Sequence, residues 1–464
     1  MQKFDAVVVG GGPGGYECAI RLSQNGLKTA LVEEAELGGT CLNRGCIPTK
    51  TLLHSADIYH DAKNGAPFGI NVGELTVDYA KIIERKNAVA KQLSNGVAFL
   101  EKNHGVTVFA SHATLADRNT VELADGETLQ CDHLIVATGS SPARIPISGR
   151  DLPGVVDSTG LLNMTTCPKH IIIVGGGVIG VEFATFFYRL GVPVTIVEML
   201  DRVLGPLDKD ITDFVEAELK RCGVELVLGV WVESIEPGLK VNYASVKDGA
   251  KGVAEGDVVL MAGGRAPNTR GIGLEKLGVW MDRKGFVDVD GLCRTNVPGV
   301  YAIGDINGKM QLAHVASAQG LLVADHIAGK PCKQLNYNRI PSCVYCNPET
   351  AMVGLTEEQA RATGRKIGTG TFNLSGNGKA LTMGENKGFA KFVYDKTTDE
   401  ILGFHVIGPR ATDLAAEVAA VMECEGTVAE IGRTVHPHPT VSEAVMEAAH
   451  VCHGSCVNAP KPRK

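Results

Sequence analysis

Phe4-Asp-Ala-Val-Val-Val-Gly-Gly-Gly-Pro-Gly-Gly15 decides the fold of this chain. Phe4–Val9 reads as an apolar strand. Gly10, Gly12 and Gly15 follow with G-x-G-x-x-G spacing. The pattern predicts a helix to about Asn25, stopped by Gly26, and then a strand, Thr29–Glu33, that ends in an acid. This is the full β-α-β dinucleotide fingerprint. The first glycine allows the turn, the second lets a pyrophosphate approach, and the third packs helix on strand. The helix N-terminus attracts phosphates, and Glu33 can accept from ribose hydroxyls. Glycine turns alone are common, but here the strand, the helix and the acid accompany them.

The unit recurs. Ile171–Val174 leads into Gly175, Gly177 and Gly180, then a helix to Gly191 and a strand, Val194–Glu198, again ending in an acid. The offsets 175−10, 177−12, 180−15, 191−26 and 198−33 all equal 165. Two dinucleotides are therefore expected, each on its own Rossmann-like unit. Glu198 would accept from a free ribose 2′-hydroxyl and repel a 2′-phosphate, which favours NAD over NADP.

At 464 residues, two to four domains are expected. A 44% apolar and 21% charged composition is that of a globular protein with ample core. A net charge of −7 argues against nucleic-acid binding. The N-terminus runs straight into a strand, so no signal peptide is expected. The most apolar run, Ile171–Phe187, contains Glu182 and four glycines and does not read as a membrane span. Thirteen mostly scattered cysteines read as buried small residues in a reducing cytoplasm, not as a disulfide framework.

Between the units, Tyr79–Asn103 has helical periodicity through Ile82, Ile83, Val89, Leu93, Val97 and Leu100, and reads as a packing helix. Val106–Asp125 reads as a β-meander. Leu134–Gly139 and Val258–Met261 are buried strands that each run into a glycine turn, Thr138-Gly139-Ser140 and Gly263-Gly264-Arg265. Asp305, at the carboxyl end of strand Val300–Ile303, sits where ligands bind in open α/β sheets, although a capping role also fits it. From about Asn336 the texture becomes α+β without a further glycine fingerprint, which suits assembly.

Gly38-Gly-Thr-Cys41-Leu-Asn-Arg-Gly-Cys46-Ile-Pro-Thr-Lys50 follows the first unit. In a regular α-helix, residues five apart have Cα atoms roughly 8–9 Å apart. A disulfide needs about 4.4–6.8 Å. If Cys41 and Cys46 pair, the backbone must be distorted, and Gly45 is where it can yield. Unrelated thiols on an amphipathic helix are the plain alternative, but the dinucleotide fingerprint just upstream favours a redox pair. No second close Cys/His pair follows at metal-ligand spacing, and no metal is expected.

His436-Pro-His438-Pro-Thr-Val-Ser-Glu443 offers a histidine with a nearby carboxylate, the ingredients of a thiol base. Thr440-x-x-Glu443 also reads as a capping box for a following helix. The sequence does not rank His436 against His438. Cys343-Val-Tyr-Cys346 falls in a probable strand and reads as structural. Cys452 and Cys456 lie too far from the end to match adjacent C-terminal redox pairs.

The Cys-x4-Cys segment, Val-Ile-Gly-Val-Glu182, Tyr-Ala-Ile-Gly-Asp305, Leu312-Ala-His314 and His438-Pro-Thr-Val-Ser-Glu443 together resemble the flavin-dependent pyridine nucleotide-disulfide oxidoreductases, most closely the branch that oxidises dihydrolipoamide. The resemblance covers nearly the whole chain, with the motifs in the family's order. It implies an α/β protein with two Rossmann-like domains and a C-terminal α+β dimerisation domain. The expected division is FAD-binding 1–148 and 273–335, NAD-binding 149–272 and interface 336–464.

The resemblance implies FAD contacts at Gly10, Gly12, Gly15, Glu33, Lys50, Ala113, Thr138, Gly139, Ser140, Asp305, Gln311, Leu312, Ala313 and His314. For NAD it implies Gly175, Gly177, Gly180, Glu182, Glu198, Val232 and Gly264. Cys46 would face the flavin as thiolate and Cys41 would exchange with substrate. Lys50 and Glu182 would pair beside the flavin. His438, oriented by Glu443, would serve the cysteines of the other subunit, which makes a homodimer obligatory. The family usually has alanine where Pro437 stands, so the loop of the base is expected to be stiffer. The implied reaction oxidises dihydrolipoamide on a separate lipoyl-bearing protein (a 2-oxoacid dehydrogenase core or a glycine cleavage carrier), with NAD⁺ as acceptor. Competing readings are a reductase of another disulfide or of mercuric ion, and a flavoprotein scaffold without catalysis. A scaffold needs none of Cys41, Cys46, His438 and Glu443.

Overall fold

The structure is a computed structural model and describes residues 1–460. The chain divides into two compact units, one of residues 1–145, 156–167 and 263–335, the other of 146–155, 168–262 and 336–464. The four-part division expected from sequence is finer than these two units, between which the chain crosses at 145/146, 155/156, 167/168, 262/263 and 335/336.

In the first unit, Gln2–Val9 pairs in parallel with Thr29–Glu33 on one side and Thr128–Val136 on the other. Thr107–Ala110 extends the sheet in parallel beyond Thr29–Glu33, and Val300–Ala302 pairs in parallel with Thr128–Val136. The expected meander is therefore corrected at its start. Thr107–Ala110 belongs to the parallel sheet, and only Ala113–Asp117 and Thr120–Leu123 run antiparallel into Thr128–Val136. The cause is non-local, because the edge of Thr29–Glu33 offers unpaired backbone groups that Thr107–Ala110 satisfies. Helices Pro13–Gln24 and Ala313–Ile327 pack closely on this sheet. A Cβ on Gly14 would stand 2.8 Å from the Ala316 carbonyl oxygen, and one on Gly320 would stand 2.4 Å from that of Gly14.

Helix Tyr79–Asn103 has the expected bounds but a rotated inner face. Ile83 and Val97 are buried, whereas Leu93 and Leu100 are exposed and Lys86 and Glu101 take buried positions. Apolar periodicity misreads a helix whose inward stripe contains two charged residue types.

In the second unit, Glu225–Leu228, Val194–Glu198, Ile171–Val174 and Val258–Met261 form a parallel sheet in that order. A three-stranded meander follows, Val230–Glu236, Lys240–Ser245 and Lys251–Glu255. The last segment is an antiparallel sheet ordered Pro341–Val344, Thr350–Gly354, Ile401–Ile407, Phe389–Asp395 and Ile367–Asn373. Helices Ala411–Glu423 and Glu443–Cys452 bury Leu414, Val418, Val445 and Ala448 in the same core as Phe392 and Phe404. Strand Ile367–Asn373 carries Gly368 and Gly370, which weakens its sequence signal.

A buried ion cluster lies in this unit. Lys391 Nζ is 2.9 Å from Asp208, 2.6 Å from Asp210 and 2.8 Å from Glu357. Asp208 caps helix Lys209–Arg221 by accepting from Asp210 N–H, and its other oxygen accepts from Glu357 N–H in the first turn of helix Glu357–Ala362, which Thr356 caps.

Candidate active site

The two fingerprints match at the level of single hydrogen bonds. Gly10 and Gly175 have φ of +106° and +117°, the left-handed region that glycine alone enters freely. A Cβ on Gly15 would lie 1.8 Å from the Gly10 oxygen, and one on Gly180 would lie 2.0 Å from the Gly175 oxygen. Over Gly12 and Gly177 there is open space. Helices Pro13–Gln24 and Val178–Arg189 start at those two glycines without a side-chain cap. Each therefore presents first-turn N–H groups to a space that a phosphate can enter. The acids repeat too. Glu33 accepts from Gly11 N–H (2.6 Å) and Ala35 N–H (2.8 Å). Glu198 accepts from Gly176 N–H (2.5 Å) and Leu200 N–H (2.8 Å). These residues fit two dinucleotides.

The cysteine stretch is bound to the first cradle. Gly38 N–H donates to the Gly11 oxygen at 2.8 Å, and a Cβ on Gly39 would stand 2.7 Å from the Gly12 Cα. Helix Gly39–Arg44 carries Cys41. It stops at Gly45, and helix Cys46–Lys63 begins on the next residue. The break falls at the residue that the spacing singled out. Thr49 seals it from the far side, its Oγ1 donating to the Gly45 oxygen at 2.7 Å. The break lets the sulfurs of Cys41 and Cys46 share a hydrogen bond. That bond, then burial, then charge on Cys46 push the Cys41 thiol far up, while Lys50 one turn on pulls it down. Cys46 is exposed and Cys41 half-buried. Exposure alone does not repeat the expected inward–outward order.

The closing turns lock together. Thr138 Oγ1 donates to the Asn268 oxygen (2.8 Å), and Asn268 Nδ2 returns a bond to the Thr138 oxygen (2.9 Å). Ser140–Pro142 pairs antiparallel with Arg265–Pro267. Ser140 Oγ donates to Asp305 Oδ2. Arg265 donates through Nε to Ser140 Oγ (2.7 Å), and a second guanidinium nitrogen donates to the Ser140 carbonyl (2.5 Å). Arg265 and Asn268 are the residues that the sequence reading passed over. The sequence marks both glycine turns, but the meaning of these two side chains rests on partners in a distant segment. Gly264, at φ +109°, opens this second turn and lies in the first unit. Leu312 starts helix Ala313–Ile327 without a side-chain cap, with Gln311 and His314 exposed beside it. Ala113 opens its strand within the core.

In the second unit, Glu182 is buried on helix Val178–Arg189 and accepts from Tyr345 N–H at 3.1 Å. Val232 packs beside Val174 and Val197. The two histidines are now separable. His436 has a side chain only 4% exposed, and both ring nitrogens are engaged, Nδ1 with the Thr434 oxygen (2.9 Å) and Nε2 with Glu417 (2.8 Å). His438 is 77% exposed, with Nδ1 2.9 Å from Glu443. The other oxygen of Glu443 accepts from Thr440 N–H at 2.9 Å, so the carboxylate serves both the histidine and half of the expected capping box. Burial works against its charge, but the Thr440 N–H and His438 hold Glu443 below the usual carboxylate range.

The remaining cysteine pairs engage other groups. Cys346 is buried and donates to the Pro348 oxygen at 3.1 Å, whereas Cys343 donates to that of Thr412. Cys452 packs against Gly370, and Cys456 donates to Glu447 at 3.0 Å. Burial pushes the Cys452 thiol up to about 12.

The pyridine nucleotide-disulphide oxidoreductase family model matches residues 4–320, and the dimerisation domain of the same family matches 340–449. A dihydrolipoyl dehydrogenase of Bacillus subtilis is 39% identical over 98% of this chain and 99% of its own. One of Chlamydia muridarum is 40% identical over the whole of both chains. Among solved structures, LpdA from Mycobacterium tuberculosis superposes with a TM-score of 0.89 at 29% identity, covering 97% of this chain and 99% of that one. The HOCl-induced flavoprotein disulfide reductase RclA from Escherichia coli gives 0.85 at 30% identity, covering 95% and 98%. The chain belongs to the pyridine nucleotide-disulphide oxidoreductase family.

Proposed function

We propose that the protein oxidises the dithiol of a dihydrolipoyl group on a separate carrier protein, with FAD as internal and NAD⁺ as terminal electron acceptor. The observation that carries this reading is the pair of sulfurs brought together at the Gly45 helix break, one backbone contact from the Gly12 cradle. Relatives called dihydrolipoyl dehydrogenase match over 98–100% of the chain and support the choice of substrate.

In the oxidised state Cys41 and Cys46 form a disulfide. One substrate sulfur, as thiolate, attacks Cys41. The S–S bond breaks, leaving a mixed disulfide on Cys41 and a thiolate on Cys46. The second substrate sulfur then attacks the first, closes the lipoyl disulfide and releases Cys41. Two electrons now reside on the cysteine pair, and two protons have left the substrate. His438 of a second copy takes a proton from the attacking thiol. With Nδ1–H donated to Glu443, its Nε2 lone pair faces outward.

FAD, when bound, supplies the two-electron acceptor and relay to NAD⁺. Gly10, Gly12, Gly15, Glu33, Thr138, Gly139, Ser140 and Asp305 would hold it, and Gly175, Gly177, Gly180 and Glu198 would hold NAD. The four-part domain division, the homodimer and a cytoplasmic setting belong to the same proposal. The dimerisation-domain match supports the second, and the free, buried single thiols Cys18, Cys131 and Cys293 support the third, although Cys167, Cys222, Cys332 and Cys424, expected to be buried, are not.

Anaerobic dithionite titration tests the reading. A long-wavelength thiolate–flavin band is expected at the two-electron stage, and its absence refutes the assignment of the cysteines. The likeness to RclA favours one alternative, reduction of another disulfide. With NADH, lipoamide should be turned over far faster than glutathione disulfide, and the reverse order would favour that alternative.

A further inference from the structure

Arg265 is not among the residues that the motif-by-motif reading of the site selects, yet it stands at the centre of a polar network in the first unit. Its side chain is 16% exposed. Two guanidinium nitrogens grip one residue, the first on the Ser140 hydroxyl (2.7 Å) and the second on the Ser140 carbonyl (2.5 Å). The hydroxyl passes its own proton to Asp305 Oδ2, and Arg265 Nε lies 3.7 Å from that same carboxylate oxygen. One oxygen of Asp305 is thus fixed by Ser140 and Arg265. A guanidinium makes such a two-point planar contact, whereas an ammonium does not.

The same side chain lies within electrostatic reach of Cys46 as well as Asp305. Arginine keeps its charge at every pH at which a thiol titrates. Lys50 is a cation that acts on Cys41. A partly buried cation near a thiol favours the thiolate, since the low local dielectric strengthens the attraction.

We propose that Arg265 is a positioning residue for the thiol–flavin step. Its fork sets Ser140 and the Asp305 carboxylate for the cofactor, and its fixed charge stabilises negative charge on Cys46. This deepens, and rests on, the assignment of Cys46 as the flavin-facing thiolate. The two contributions separate by substitution. Arg265→Lys keeps the charge and loses the two-point grip. Arg265→Gln loses the charge and keeps a donor of intermediate length.

The experiment uses the FAD-loaded full chain. Each protein is brought anaerobically to the two-electron stage, and the long-wavelength band is followed against pH. FAD release is followed separately, by the recovery of free flavin fluorescence on dilution. Wild type is expected to show the band with a single titration. Arg265→Gln is expected to move that titration upward by about one pH unit, a roughly tenfold loss of thiolate at a fixed pH below it. Arg265→Lys is expected to titrate as wild type but to release FAD several-fold faster. If Arg265→Gln titrates with wild type, the electrostatic half is overturned. If Arg265→Lys retains FAD as wild type does, the positioning half is overturned. Absence of the band from wild type itself overturns the cysteine assignment and this inference with it. Should Arg265→Gln not fold, Arg265→Met at the same position reads the loss of charge.

Discussion

Glu101 offers a sharp test of how the structure sets stability. It lies near the end of helix Tyr79–Asn103, fully buried, and neither carboxylate oxygen has a hydrogen-bond partner. Burial pushes its pKa from the ordinary 4.5 up to about 8. The folded state therefore holds a proton that the unfolded chain releases at lower pH. Stability should fall as pH rises from the unfolded value through the folded one, and level off above it. Integrating that difference from pH 5 to pH 9 gives a loss of about 4 kcal/mol from this one group. Glu101→Met keeps the length of the side chain and removes the charge and both oxygens. The variant should be the more stable protein, and its advantage should widen by about 4 kcal/mol between pH 5 and pH 9. The assay is urea unfolding at fixed protein and FAD concentrations at pH 5, 7 and 9, with the two proteins compared at each pH so that all other titrations cancel. A constant gap across that range would refute the reasoning.

Three further outcomes follow from other parts of the molecule. Lys391→Met removes the cation that Asp208, Asp210 and Glu357 share, leaving Glu357 paired with Arg361. It should cost about 3–5 kcal/mol, read as a lowered denaturant midpoint. Glu443→Gln removes the anion that orients His438 but leaves an acceptor for Thr440 N–H. Lipoamide turnover should drop about 10²-fold or more with the thermal midpoint little changed, and near-wild-type turnover would exclude Glu443 as the group that orients the base. Gly45→Ala places a Cβ 3.0 Å from the Thr40 oxygen. It should disturb the helix break and slow disulfide reduction by dihydrolipoamide at least about tenfold, read by stopped flow.

Much of the site was legible because its chemistry is written in short segments. The glycine spacings, the acids at 33 and 198 and the need for a break at Gly45 are local geometry, and the structure places each where the spacing put it. What was not legible depends on distant partners. Ranking His438 over His436 required Glu417, nineteen residues upstream, which occupies the second nitrogen of His436. Thr107–Ala110 reads as part of a meander because its true neighbour, Thr29–Glu33, lies far back in the chain. Glu101 lies outside the apolar stripe that marks Tyr79–Asn103 as a packing helix, because which face turns inward is decided by what packs on it. Arg265 was visible but unremarked, its meaning resting on Ser140 and Asp305 in two other segments.

The paired hydrogen bonds on Glu33 and Glu198 have a thermodynamic consequence. A free glutamate samples many rotamers, and immobilising such a side chain on binding costs about 0.5–1.5 kcal/mol. Here two backbone N–H groups already hold each carboxylate, from the glycine turn on one side and the residue two positions on at the other. In the proposed role, a ribose meets an acceptor whose entropy was surrendered when the protein folded. Affinity at both cradles is then set more by the nucleotide's own loss of freedom than by that of the protein. Replacing either acid by a shorter aspartate should weaken binding beyond the loss of a contact, because it releases an anchor as well as moving an oxygen.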